Sequence, residues 1–264
     1  MTKEELYAIA ERPISFNLGK YMDEGFQVYK KFAGGFIGIL LLSILIWFGL
    51  AIIPFIGAIA LPFVALILHA GAIITIHKIR NNEHFEFSDF FSGFKKAGPI
   101  ILWALFIYLL FMICMSPIII VFINENLAAL GQGGSIPNPE KWIWLMLLLF
   151  IPIMLIFVFY VFSLQVLVLL NDNVWVAMEA SRRVVFKKFF PILGMLILLY
   201  IIYMIGTVIT LGLGLFVLLP WTNATITMAF EDIFKPSVNQ FEQQIDSFGT
   251  HQRDINTEAE EGKF

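Results

Sequence analysis

Six stretches of this sequence hold no Asp, Glu, Lys or Arg: residues 32–53, 55–77, 99–123, 142–170, 191–211 and 215–230. Their length leaves the backbone few choices. The 22 residues of the first run, coiled as a helix at about 1.5 Å per residue, reach roughly 33 Å, enough to cross the hydrocarbon core of a bilayer. In lipid every amide and carbonyl needs a partner, and a helix supplies one within its own segment. Composition agrees. Hydrophobic residues make up 59% of the chain and charged residues 14%, against roughly half and a quarter in soluble domains. The expected fold class is all-α and integral to a membrane, with six transmembrane helices.

The charges lie between the runs in a repeating pattern. Tyr29-Lys30-Lys31-Phe32, Phe94-Lys95-Lys96-Ala97 and Phe186-Lys187-Lys188 each stand shortly before an apolar run. Each is preceded by a segment with helical spacing. In the first, Leu18, Met22, Gly25, Tyr29 and Phe32 recur at three- and four-residue steps, with Asn17 placed to cap the helix. In the second, Phe87, Phe90, Phe91 and Phe94 form an aromatic stripe behind an expected Ser88 cap, suited to the acyl boundary or to neighbouring helices. In the third, Val174, Ala177, Met178, Ser181, Val184 and Val185 share one face, while Glu179, Arg182 and Arg183 lie on the other. The chain reads as three helical hairpins, each introduced by an amphipathic interfacial helix and a dibasic stop.

Orientation follows from the bases. With both termini cytoplasmic, 16 of the 17 Lys and Arg fall on that side and only Lys141 lies outside, as the positive-inside bias favours. The expected organisation is a cytoplasmic amphipathic segment at 1–31, a six-helix membrane domain at 32–234, and a polar, mostly disordered cytoplasmic tail at 235–264. No apolar core precedes residue 32, so the first run is expected to stay as an anchor. The sequence places Pro54 and Gly57 at one reversal and Gly212 and Gly214 at another. Residues 124–141, rich in Gly and Pro, read as an irregular loop. The fourth run, at 29 residues, exceeds one crossing and must tilt, kink at Pro152 or project past the headgroups.

Few residues suggest chemistry. No zinc spacing, phosphate loop, dinucleotide fingerprint or nucleophile elbow occurs, so no catalytic, cofactor-binding or metal-binding residues and no cofactor are expected. Nucleic acid is not an expected partner. The single cysteine, Cys114, lies in an apolar run and reads as a packing thiol. Gly34 and Gly38 form a small-residue helix-packing motif. His77 and His84 flank a charged segment and read as interfacial. Pro62 and Pro220 fall 31 and 32 residues after Lys31 and Lys188, at matching places in the first and third hairpins. They either end outer turns or mark broken helices at a binding site. His69, Thr222 and Asn223 form a candidate intramembrane polar site, although a histidine bonded to a neighbouring helix is the plainer reading of His69. Lys30, Lys31, Lys95, Lys96, Arg182, Arg183, Lys187 and Lys188 are candidate lipid-headgroup contacts, each worth on the order of 1 kcal/mol beside an anionic leaflet.

Trp175, Ala177 and Ser181, spaced W-x-A-x-x-x-S, are followed by Pro191, the Gly212–Gly214 turn, Pro220 and the acidic pair Glu231 and Asp232. In these features residues 15–235 resemble uncharacterised bacterial multi-pass membrane proteins grouped around the membrane domain of glycerophosphoryl diester phosphodiesterases. The phosphodiesterase barrel has no counterpart here, so its activity does not carry over. The resemblance implies a protein of the bacterial cytoplasmic (inner) membrane. Together with the residues it suggests a non-catalytic accessory or scaffold domain that contacts anionic lipid, a partner membrane protein or a second copy of itself. The alternative is a transporter or channel for a lipid-like or small neutral substrate, which a cavity near His69, Thr222 and Asn223 favours.

Overall fold

The computed structural model describes residues 3–9, 16–53, 55–132 and 139–234. In order these form α1 (Lys3–Ile9), α2 (Leu18–Lys31), α3 (Ala33–Ala51), α4 (Ile56–Arg80), a 3₁₀ helix (Phe87–Lys96), α5 (Ala97–Gln132), α6 (Pro139–Phe159), α7 (Ser163–Leu169), α8 (Val174–Lys187), α9 (Phe189–Ile209) and α10 (Leu215–Phe234). No strand occurs among the described residues. Five segments are long and apolar enough to cross a membrane: Ala33–Ala51, Gly57–Arg80, Phe87–Asn124, Ile143–Leu169 and Phe189–Ile209. They turn large apolar side chains outward, with Leu45, Phe48, Ile59, Phe157 and Val208 all exposed. So extensive an apolar exterior suits an all-α multi-pass membrane protein and would be a liability in water. The expected sixth span, α10, is not among these five; its final turns carry Glu231 and Asp232.

The three segments that introduce α3, α5 and α9 make the most extensive helix-to-helix contacts in the molecule. Two of them lie on the helix that returns from the hairpin before, and the first lies on the helix that returns from the last hairpin. The 3₁₀ helix packs on α4, α8 packs on α7, and α2 packs on α10, which joins the beginning of the chain to its last described helix.

Local sequence explains these seats. Asn17 Oδ1 accepts from Lys20 N–H at 3.1 Å, capping α2 as expected. The helix buries Tyr21, Gly25, Val28 and Tyr29, a spacing of four, three and one. At Gly25 the contact with α10 is so close that a Cβ would stand 2.8 Å from the backbone nitrogen of Thr225 and 2.9 Å from its Cα. The 3₁₀ helix is similar: a Cβ on Gly71 would lie 1.8 Å from Phe90 O, and one on Gly93 would lie 2.1 Å from Ile67 O. In α8 all six residues expected on one face are buried. Its small pair Ala177 and Ser181 admits the neighbouring backbone. Ser181 Oγ donates to Phe159 O at 2.8 Å and accepts from Phe162 N–H at 3.3 Å, bridging the interruption between α6 and α7.

Several expectations are corrected. The fourth apolar run breaks at Tyr160–Phe162, while α6 continues through Pro152. Pro62 and Pro220 likewise sit inside α4 and α10 without ending them, in the second turn of each, at the cost of one backbone hydrogen bond. Residues 124–132, read as loop, extend α5, and 139–141 open α6; residues 133–138 lie outside the described residues. Leu127 to Leu130 are strong helix formers, and the glycines come only afterwards. Glu86, not Ser88, caps the 3₁₀ helix, in a reciprocal box with Asp89. Its Phe stripe splits. Phe90 and Gly93, three residues apart and so aligned on a 3₁₀ helix, are buried, whereas Phe87, at the start of the same row, and Phe94 are exposed. Gly34 meets nothing within 4 Å and Gly38 meets only the Phe87 ring; close backbone approaches lie instead at Gly25, Gly71 and Gly93, and at Gly57 in the α3–α4 reversal, where a Cβ would stand 1.8 Å from Leu50 O. The expected tail at 235–264 lies outside the described residues.

Candidate functional site

The candidate polar site is partly assembled. A cavity of about 280 Å³ lies among α4, α5, α6–α7 and α10, and His69 and Asn223 both line it. Thr222 does not line it; its hydroxyl donates to Leu219 O at 3.0 Å. Thr225 and Thr227 bond back to Trp221 O and Asn223 O in the same way. The threonine stretch therefore satisfies itself within its helix.

Sequence reasoning missed the cavity's second amide, Gln165, and its two amphipathic rings, Trp103 and Tyr160. Gln165 is buried, and its Oε1 meets no donor among the described residues. Trp103 Nε1 donates to Ser163 Oγ at 2.9 Å, and Ser163 Oγ donates to Tyr160 O at 2.5 Å. These bonds fix the wall at the α6–α7 break. The remaining lining is aliphatic and aromatic. Two rim residues, Phe111 and Phe157, are also exposed on the apolar exterior, so the cavity opens sideways between α5 and α6. The available signal was polarity. Gln165 is the only amide side chain between residues 142 and 170.

A second polar assembly joins the ends of α2, α4 and α10. Glu231, almost fully buried, takes Arg80 at 2.7 Å on one oxygen and His77 Nδ1 at 2.5 Å on the other. Asp232 accepts from Lys20 at 3.1 Å and from the Tyr21 hydroxyl at 2.7 Å. Burial, reinforced by the Asp232 carboxylate, pushes the Tyr21 phenol up from its ordinary range. Arg80 also reaches Glu24 at 3.5 Å. His77 is thus a tertiary partner for α10. His84, fully exposed in its loop, approaches Glu86 at 3.9 Å.

The basic residues named from sequence divide into two groups. Lys96 donates to Val168 O at 2.9 Å and Asp172 at 2.7 Å. Arg182 and Arg183 converge on Glu179 at 2.9 and 2.7 Å; the Arg182 hydrogen bonds hold that carboxyl below the usual carboxylate range. Arg183 also stacks over the Tyr7 ring at 4.0 Å, seating α1, a helix not anticipated from sequence. Lys31 donates to Asn82 at 3.0 Å. Lys30 lies over the Phe26 ring at 5.0 Å. Lys95, Lys187 and Lys188 make no ion pair with described residues, and Lys95 and Lys187 are exposed. Among the described residues, no three His, Cys, Asp or Glu side chains gather as a metal site.

No protein-family model, curated protein or solved structure matches this chain, so nothing in those comparisons links it to the membrane domains of glycerophosphoryl diester phosphodiesterases.

Proposed function

We propose that the chain is a non-catalytic protein of the bacterial inner membrane, a transporter or channel that receives a lipid-like or small neutral substrate in the cavity between α4, α5, α6–α7 and α10. In this reading α10 is a sixth span, both termini are cytoplasmic, and three hairpins repeat around an axis near the membrane normal. The pairing of each introducing helix with the return helix of another hairpin, α2 with that of the last, supports that arrangement. One observation carries the function: a mostly apolar cavity, furnished with His69, Gln165 and Asn223, opens between exposed Phe111 and Phe157. Apolar walls with a few convergent polar groups are the usual make-up of a small-molecule site. A lateral mouth suits a ligand dissolved in the bilayer.

The accessory or scaffold reading, with the resemblance behind it, stays as the second. Exposed Lys30, Lys95 and Lys187, together with exposed Trp175, Phe186 and Phe190, favour it, because bases beside aromatic rings suit an anionic leaflet. One preparation tests both. Protein extracted from membranes in mild detergent should carry a neutral lipid or small molecule, seen by mass spectrometry, that is lost when Ile107→Trp fills the cavity. Anionic lipid retained equally by both proteins, with no neutral ligand in either, would replace the transporter reading with the scaffold one.

A further inference from the structure

We infer that the cavity selects a neutral amphiphile bearing a free hydroxyl, of the long-chain alcohol or acylglycerol class, over anionic or hydroxyl-free lipids. This rests on reading the cavity as a binding site. The chemistry of its lining supplies the rest. His69, Gln165 and Asn223 are the polar side chains that neither a ring nor an in-helix bond accounts for, and no Lys, Arg, Asp or Glu is among the lining residues. Each of the three can both donate and accept: an amide through its NH₂ and oxygen, an imidazole through its two ring nitrogens.

A hydroxyl is the smallest group that does the same. It satisfies an amide in either rotation and an imidazole in either tautomer. A phosphate or carboxylate headgroup would be desolvated here with no cation to meet it, which is strongly unfavourable. An ether or ester offers acceptors only, so it can take hydrogen bonds from these side chains but can give none back. Size agrees as well. About 280 Å³ is room for roughly nine water-sized volumes at ~30 Å³ each, a headgroup and the first part of a chain. The remainder would pass between Phe111 and Phe157 into the hydrocarbon.

Trp103 in the wall makes this testable. The full chain in phosphatidylcholine nanodiscs is titrated with 10-bromo-1-decanol, its methyl ether, 1-bromodecane and 10-bromodecanoate. Quenching is taken as the difference from the Trp103→Phe variant and normalised to each probe's mole fraction in the bilayer. The alcohol should half-saturate at least about fivefold lower than the ether, the effect of a typical hydrogen bond, and Gln165→Met should erase that preference while leaving bromodecane quenching unchanged. Equal quenching by alcohol and ether, or tighter binding of decanoate, would overturn the hydroxyl assignment while leaving a lipid-binding cavity. No Trp103-dependent quenching by any probe would remove the binding site itself.

Discussion

Gly25 shows how much of this fold depends on one absent methyl group. The α2 and α10 backbones meet there closely enough that even alanine would press on Thr225 Oγ1 at 2.7 Å as well as on the α10 backbone. A backbone cannot yield as a side-chain tip can, so Gly25→Leu should destabilise the protein by about 1–3 kcal/mol. Gly34→Leu, placed where nothing lies within 4 Å, should change stability by under about 0.5 kcal/mol. Unfolding of the purified variants in a denaturing-detergent titration reads both, and equal midpoints would refute the close approach. The sequence located Gly25 on the apolar face of its helix but could not show that the glycine was obligatory. Spacing identifies a buried face, whereas the distance to the covering backbone is a tertiary quantity. Gln165 escaped notice for a related reason. A single amide in a long apolar run draws attention only when its neighbours in space are known.

At the scale of elements, the apolar runs, the Asn17 cap and the packing face of α8 were all legible, since each is set by residues close in sequence. The breaks were not. Proline at positions 62, 152 and 220 suggested interruptions, yet the helix gives way at Tyr160–Phe162, where Ser181 from another element takes over the released backbone groups. Charge pairing between ends was equally hidden. His77, read as interfacial, gains a partner only because α10 brings Glu231 beside it and Arg80. Glu231→Gln removes the charge that Arg80 and His77 share. Because Arg80 keeps Glu24 and a quarter of its side-chain surface is exposed, the expected loss is about 1–3 kcal/mol, below that of a fully buried pair. The double variant Arg80→Met, Glu231→Met should recover part of it, and a non-additive cycle in the same titration is the signature of the pairing. Strict additivity would mean that the two side chains act independently.

For the whole molecule, the sorting of bases read from the sequence has its test in topology. Lys31 meets Asn82 and Lys96 meets Asp172, so the starts of α3 and α5 gather with the ends of α4 and α7. The predicted topology places that end in the cytoplasm. A phosphatase reporter, active only outside the cytoplasm, should be silent when fused after Phe264 or inserted between Asn171 and Asn173, and active when inserted within residues 133–138. Activity at either of the first two positions would invert or break the six-span scheme.

The docking of α2 on α10 also has a consequence in time. A ribosome releases α2 among the first segments and α10 among the last, so the groove that receives Gly25 does not exist while the intervening helices are being inserted. Helix α2 must wait until then, and the molecule can close on itself only once α10 has emerged.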